Sequence, residues 1–331
     1  MGTYTMISMK NRLILGTSCD PWHNLAAEEL LFNAPEDRVT LYLWQNANTV
    51  VIGRNQNAWK ECRAAVLQQD GGKLARRTSG GGAVYHDLGN LNFTFLLPRA
   101  KYDLPRQTGV ILSAVRALGI NASFTGRNDL ITETGAKFSG NAFRFSRDYA
   151  LHHGTLLIRV DMQKLSRYLA PSPEKLRAKG VDSVRARVCN LGEYGAHVTI
   201  DTMKEALAQA FLLEYGPFDS FEEELFAKNK LGPLYEKHAS WDWRMGATPQ
   251  FDLEKTTRFP WGSLELALSL ENGKIAKAQA YSDAMDEAFI LRIGPALLGA
   301  RLDGTELARR VAALGGEYAR DAAGWLEKQV F

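Results

Sequence analysis

Long apolar runs are missing from this 331-residue chain, and none approaches the ~20 residues needed to cross a bilayer. Met1 to Leu15 lacks a signal-peptide core and a small-residue cleavage site. A cytoplasmic chain with no membrane partner is therefore expected. The Met1-Gly2 start carries Met6 where N-myristoylation needs Ser or Thr, so that anchor fails. Cysteine is scarce: Cys19, Cys62 and Cys189 are isolated and odd in number, which fits a reducing compartment and excludes a disulfide framework. The six histidines show no H-E-x-x-H or similar spacing, which argues against structural zinc. Excess charge is lacking too. A net charge of +3, with Lys and Arg interleaved among acids, gives no broad basic face, so nucleic acid is not an expected partner. Neither G-x-x-x-x-G-K-[ST] nor a helix-opening G-x-G-x-x-G occurs, which excludes the familiar nucleotide loops.

What is present is Arg76-Arg77-Thr78-Ser79-Gly80-Gly81-Gly82-Ala83-Val84-Tyr85-His86-Asp87, followed by the alternating run Leu91 to Phe95. Three glycines without Cβ atoms let successive N–H groups turn toward one anion, and two arginines supply charge. Taken alone, the run reads at least as readily as a flexible surface loop. Downstream, Gly126 to Ile131 leads through a turn at Thr134-Gly135 into Ala136-Lys137-Phe138-Ser139-Gly140-Asn141-Ala142-Phe143-Arg144, a hairpin by its alternation. With its side chain toward the glycine loop, Lys137 reaches a charged ligand there; otherwise it is a solvated strand lysine.

The remaining chain reads as α+β. Asp20-Pro21 starts a helix over 21–33. Leu41 to Trp44 and Thr49 to Gly53 read as paired strands, Asn57 to Gln69 as a helix, and Leu91 to Leu97 as a central strand. Arg106 to Leu118 is a helix stopped by Gly119, Ala150 to Val160 a strand, and Asp161 caps a helix over 162–169. Pro171 to Asn190 reads as a mobile loop or a plain linker. Thr202-Met203-Lys204-Glu205 matches a capping box for a helix to Tyr215, ended by Gly216, and a second helix is expected through Phe221–Lys228. Beyond a linker at 246–253 come a hairpin of Leu264–Leu270 with Lys274–Tyr281, then helices near 294–301, 304–314 and 317–328. The expected domains are a catalytic unit over 1–245 and an accessory unit over 254–331. Mixed, largely antiparallel sheets flanked by helices fit the first, and a small α+β fold the second.

At its two motifs the chain resembles the lipoate-protein ligase A family, the bacterial type with an added C-terminal domain. Arg-Arg-x-x-Gly-Gly-Gly-x-Val-x-His-Asp stands unbroken at 76–87 and Lys-x-Ser-Gly-x-Ala at 137–142. Asp20-Pro21-Trp22, Val51 to Asn57, His152-His153-Gly154-Thr155 and Lys179 to Arg185 look like family segments in the family's order. The glycine signature alone is shared with related acyltransferases and, more distantly, with biotin ligases.

The resemblance implies a biotin/lipoate ligase-like catalytic domain that turns lipoate and ATP into lipoyl-AMP. The lipoyl group then passes to a lysine of lipoyl-accepting domains, in E2 subunits of 2-oxoacid dehydrogenases or in glycine cleavage H protein. It implies Lys137 as the catalytic residue, and Arg77, Gly82, Ala83, Val84, Tyr85 and Asp129 with Lys137 around ATP and the adenylate. Gly80, Gly81, His153 and Lys137 are implied around lipoate, with Arg76, Ser79 and Arg144 in support. Asp129 binds Mg²⁺, orients phosphate, or simply starts the hairpin. His86-Asp87 reads as a turn-stabilising pair rather than a catalytic dyad, since neighbouring strand residues face opposite ways. Two alternatives stay open. A thioester acyltransferase would use Cys189, and a non-catalytic binder would use the loop only as a ligand cradle.

Overall fold

The computed structural model describes residues 10–125, 128–169, 188–222, 228–245, 253–271 and 274–329. The expected loop at 171–190 lies mostly outside these residues, and the expected linker lies almost wholly outside them. Through the first unit run β1 (Asn11–Leu15), α1 (Pro21–Asn33), β2 (Thr40–Trp44), β3 (Thr49–Ile52), α2 (Ala58–Glu61), α3 (Ala64–Gln69), β4 (Lys73–Arg76), β5 (Val84–His86) and β6 (Asn90–Pro98). They continue with α4 (Leu104–Ala117), β7 (Ala122–Phe124), β8 (Asp129–Thr132), β9 (Lys137–Phe145), β10 (Tyr149–Leu157), α5 (Met162–Tyr168), α6 (Ile200–Tyr215), β11 (Phe218–Glu222), α7 (Lys228–Ala239) and α8 (Trp241–Arg244).

Among the described residues an eight-stranded sheet runs β11-β1-β2-β6-β10-β9-β8-β7, and a second sheet runs β4-β3-β5. Pairing is parallel from β11 through β1 to β2 and antiparallel from there to β7. Nearly every residue of β6 is buried, as expected of a strand covered on both faces. On one face α4 and α6 close a core around Phe93, Phe95, Ile111, Val115, Leu207 and Phe211. On the other, α1 covers Tyr42, Leu96 and Leu151. Helix α1 begins where the sequence places it, because Asp20 accepts from Trp22 N and Pro21 fills the first turn.

Two acids of α1 are buried. Glu29 meets Lys237 at 2.6 Å and His238 at 2.8 Å. Burial works to raise its carboxyl, but the hydrogen bonds from His238 and Lys237 outweigh it and hold the group at about 2, below the ordinary 4.5. A depressed carboxyl contributes stability that is complete above its unfolded value and is lost as pH falls through the folded one. Glu29→Gln should therefore flatten the part of the acid-unfolding curve between about pH 4.5 and 2, followed by far-UV circular dichroism.

Several expected elements differ. Strands β2 and β3 do not pair with each other: β2 lies between β1 and β6, and β3 between β4 and β5. The helix expected over 57–69 breaks into α2 and α3, because Cys62 leaves it to form a bridge with Leu169. The capping box sits three residues earlier than expected, with Thr199 and Thr202 bonding each other's backbone N–H. Phe221 belongs to strand β11, whose partner is β1 at the sheet edge, and the helix that follows starts only at Lys228.

The second unit holds β12 (Leu253–Phe259), β13 (Gly262–Glu271) and β14 (Lys274–Ser282), an antiparallel sheet with α9 (Glu287–Leu297), α10 (Gly304–Ala312) and α11 (Glu317–Glu327). Asp286 caps α9 by accepting from Phe289 N, so this helix starts ahead of the expected 294–301. Leu266, Ile275, Phe289, Ile293, Val311 and Leu326 form a separate core. No helix among the described residues is long and apolar enough to cross a membrane.

Candidate active site

The glycine bend joins β4 to β5 and passes over the end of β3. It passes so closely that a Cβ at Gly53 would lie 2.1 Å from Gly81 O, and Gly81 itself adopts φ 91°. Arg77 pins the bend from behind. Its Nη2 donates to Gly80 O at 2.7 Å and Gly82 O at 2.8 Å, and its Nε donates to Gly80 O and Ser79 Oγ, both at 3.1 Å. A trans peptide whose carbonyl turns onto Arg77 directs its N–H the opposite way. The Gly82 carbonyl thus turns the Ala83 N–H away from Arg77, while the Gly81 N–H, opposite the Gly80 carbonyl, is taken by Ala284 O at 3.1 Å. Burial draws the Arg77 guanidinium down to about 10, against the pull of Glu28 and Glu287.

Arg76 points elsewhere, as strand alternation requires. It donates to the carbonyls of Gly53, Arg54 and Gln56 and to those of Trp243 and Arg244, at 2.7 to 3.2 Å. Trp243 Nε1 returns a bond to Arg76 O at 2.8 Å. The first signature arginine thus ties β4 to the 53–56 turn and to α8.

Lys137 opens β9 after the turn at Gly135, whose φ is 78°. Its Nζ lies 2.7 Å from Asp129 Oδ1, with both side chains about a third exposed. Lys137, Arg77 and residues Gly81 to Val84 line one cleft, so the two motifs meet. The cleft encloses about 660 Å³ including its mouth, with Leu25, Trp44 and Val51 among its apolar walls and His86, Asn92, Asn141 and His153 among its polar ones.

Other expected site residues stand around it. Ser79 is buried, with Oγ 2.7 Å from His153 Nε2, and His153 Nδ1 lies 2.8 Å from Glu28 Oε1. Thr94 Oγ1 donates to the same Glu28 oxygen at 2.7 Å. Burial pushes the Glu28 carboxyl up, but His153 and Thr94 outweigh it, leaving it below its ordinary value. Tyr85 turns its ring away from the cleft, toward Tyr168, and donates to Asn48 Oδ1. Arg144 stacks over Phe32 at 4.3 Å and lies 4.0 Å from Glu287. Of the pair His86-Asp87, only Asp87 braces a turn, accepting from Gly89 N at 2.8 Å and Asp161 N at 2.9 Å. His86 faces the cleft.

The sequence matches the lipoyl protein ligase A/B catalytic domain over residues 20–212 and the bacterial lipoate protein ligase C-terminus over 248–320. The chain belongs to the lipoyl protein ligase family. Among solved structures, P. falciparum LipL1 in complex with lipoate is 28% identical, with a TM-score of 0.85 over 96% of this chain and 99% of that one. A bi-partite lipoate protein ligase from Thermoplasma acidophilum, described with its E2 lipoyl domain, is 29% identical, with a TM-score of 0.65 over 74% of this chain and 100% of that one. A lipoate-protein ligase A bound with ATP is 26% identical, with a TM-score of 0.61 over 72% and 99%. The fold is that of a lipoate ligase, carrying a C-terminal domain.

In this ligase the second unit reaches the site. Ala284 O accepts from Gly81 N at 3.1 Å, and Met285 lines the cleft with its thioether beside Gly81. Glu28, Trp44, Asn92 and Met285 were missed by sequence reasoning. Only Glu28 left a signal, as half of the Glu28-Glu29 pair in a segment that resembles the family's. Among the described residues no group of three His, Cys, Asp or Glu side chains forms a metal site.

Proposed function

We propose that the protein joins lipoate to ATP as lipoyl-AMP, releasing pyrophosphate, and then passes the lipoyl group to the ε-amine of a lysine on a lipoyl-accepting domain. The observation that carries this reading is the meeting of Lys137 with Arg77 and the glycine bend in a single cleft. In the first step a carboxylate oxygen bonds the α-phosphorus as the bond to pyrophosphate breaks. Two anions must approach each other. An ammonium between them cancels the repulsion and remains bonded as charge moves onto the phosphoryl oxygens. Asp129 holds Lys137 until substrate oxygens replace it. In the second step the acceptor amine attacks the acyl carbon, the bond to AMP breaks, and the amine loses a proton; the anhydride is already activated, so no enzyme nucleophile is needed.

Mg²⁺ would arrive with the nucleotide and neutralise its phosphates. Because Mg²⁺ keeps several waters and phosphate oxygens, the single carboxylate of Asp129 beside the cleft suits it. The acceptors proposed are lipoyl domains of E2 subunits and glycine cleavage H protein, the former supported by the bi-partite ligase described with its E2 lipoyl domain. A cytoplasmic setting agrees with three free cysteines.

The geometry gives the thioester route no support. Cys189 is buried, its Sγ rests 3.8 Å from Ala136 O, and burial pushes its thiol above the ordinary range. Incubation with lipoate, Mg²⁺ and labelled ATP, without acceptor, should yield lipoyl-AMP and pyrophosphate; no adenylate at any lipoate concentration would defeat the proposal. Cys189→Ser should transfer the lipoyl group to an acceptor domain within about twofold of the wild-type rate, as a small swap outside the chemistry should. Loss of transfer with intact folding would restore the thioester.

A further inference from the structure

Alone among the described residues lining the cleft, His86 has a buried polar atom, Nε2, without a hydrogen-bond partner. The ring is 3% exposed. Which atom carries its proton follows from a chain of neighbours. Asn24 Nδ2 donates to the backbone carbonyls of Ser18 at 3.1 Å and Gln45 at 2.7 Å, which fixes the orientation of that amide. The same Nδ2 lies 2.9 Å from the Asn46 amide, where an oxygen rather than a second NH2 belongs, so Asn46 presents its own Nδ2 to His86 Nδ1, 3.1 Å away. His86 Nδ1 must then accept, and the proton of the neutral ring sits on Nε2.

Burial, reinforced by Arg77 and His153, pulls His86 down to about 3, so the ring stays neutral at working pH. The ring lines the cleft, and its buried Nε2–H is a donor without a partner in the protein. A buried donor left unpaired costs more than a made bond contributes, so whatever fills the cleft is selected for an acceptor there. Position narrows the ligand atom. His86 lies three strand residues beyond Ala83, roughly 10 Å along β5 from the anion-binding bend, about the reach of a short acyl chain. Trp44 meets the ring edge-on, with centroids 6.4 Å apart.

We propose that His86 is a specificity residue whose Nε2–H donates to an acceptor atom at the far end of the bound acid, a dithiolane sulfur in lipoate, and so favours lipoate over a plain alkyl acid. This rests on the lipoate-activating reading above. Sulfur is a weak acceptor, so the preference should be modest, about tenfold.

The test compares kcat/KM for adenylate formation with lipoate and with octanoate in wild type, His86→Phe and His86→Gln. Both variants lose the bond to Asn46, but only Gln places an N–H near the position of Nε2. Wild type should prefer lipoate by about tenfold, Phe should bring the ratio close to one, chiefly through KM for lipoate, and Gln should restore most of it. An unchanged ratio in Phe, a Gln ratio as flat as that of Phe, or a wild type without preference each overturns the inference while leaving ligase activity standing. Adenylate from neither acid in wild type overturns the lipoate reading, and this inference with it. Should the Phe variant not fold, imidazole ¹⁵N spectra of wild type decide: the Nε2–H signal should move on saturation with lipoate and not with octanoate, and a signal unmoved by lipoate overturns the inference.

Discussion

Lys137→Ala is expected to lower adenylate formation by about 10²–10³-fold, the range for removing one preorganised donor to developing charge. The loss should fall on kcat and kcat/KM together, because the ammonium matters most when carboxylate and phosphate are closest. Stability should change by less than about 1 kcal/mol, since the pair with Asp129 is partly exposed and water replaces it. Pyrophosphate release with saturating lipoate and ATP measures the rate, and urea unfolding measures the stability. A wild-type rate would remove Lys137 from the chemistry. Arginine at the same position should rescue little, because a planar fork does not fit between two oxyanions as a compact ammonium does.

Arg76→Met should produce the largest loss of stability, roughly 3–4 kcal/mol, because it strips donors from five backbone carbonyls around a buried position. Methionine keeps much of the stem's packing, so the loss isolates the hydrogen bonds. The urea midpoint should fall with little change of slope. Activity per folded molecule should fall as well, since the 53–56 turn that Arg76 fixes lies directly under the bend. A midpoint shift below about 1 kcal/mol would mean that water takes over the carbonyls. The two adjacent arginines therefore do separate work: Arg77 shapes the bend, and Arg76 fastens the platform beneath it.

Features set by neighbours along the chain are legible in the sequence itself. The start of α1 follows from Asp20 and Pro21, the end of α6 from Gly216 with its φ of 84°, and the 129–145 hairpin from its alternation around Gly135. Expectation and fold diverge where a partner lies far along the chain. Strand β11 pairs with β1, some two hundred positions earlier, and no local pattern at Phe221 tells a half-buried edge strand from a helix start. The same limit applies at the site. The two motifs name the bend and Lys137, but Trp44, Asn92 and Met285 reach the cleft only through tertiary packing. His86 is visible in the signature yet reads there as a turn residue, because only the fold shows it lining the cleft with Asn46 against its Nδ1.

A Cβ at Gly80 would collide with the Ala284 carbonyl at 2.5 Å, so the glycine bend of the front unit is moulded against main chain contributed from beyond residue 280. Any scheme that cuts the polypeptide between its units, or grafts a foreign C-terminal partner onto the front one, must reproduce that surface. A tail that folds well but presents another contour to Gly80 would yield a soluble hybrid with a misshapen bend.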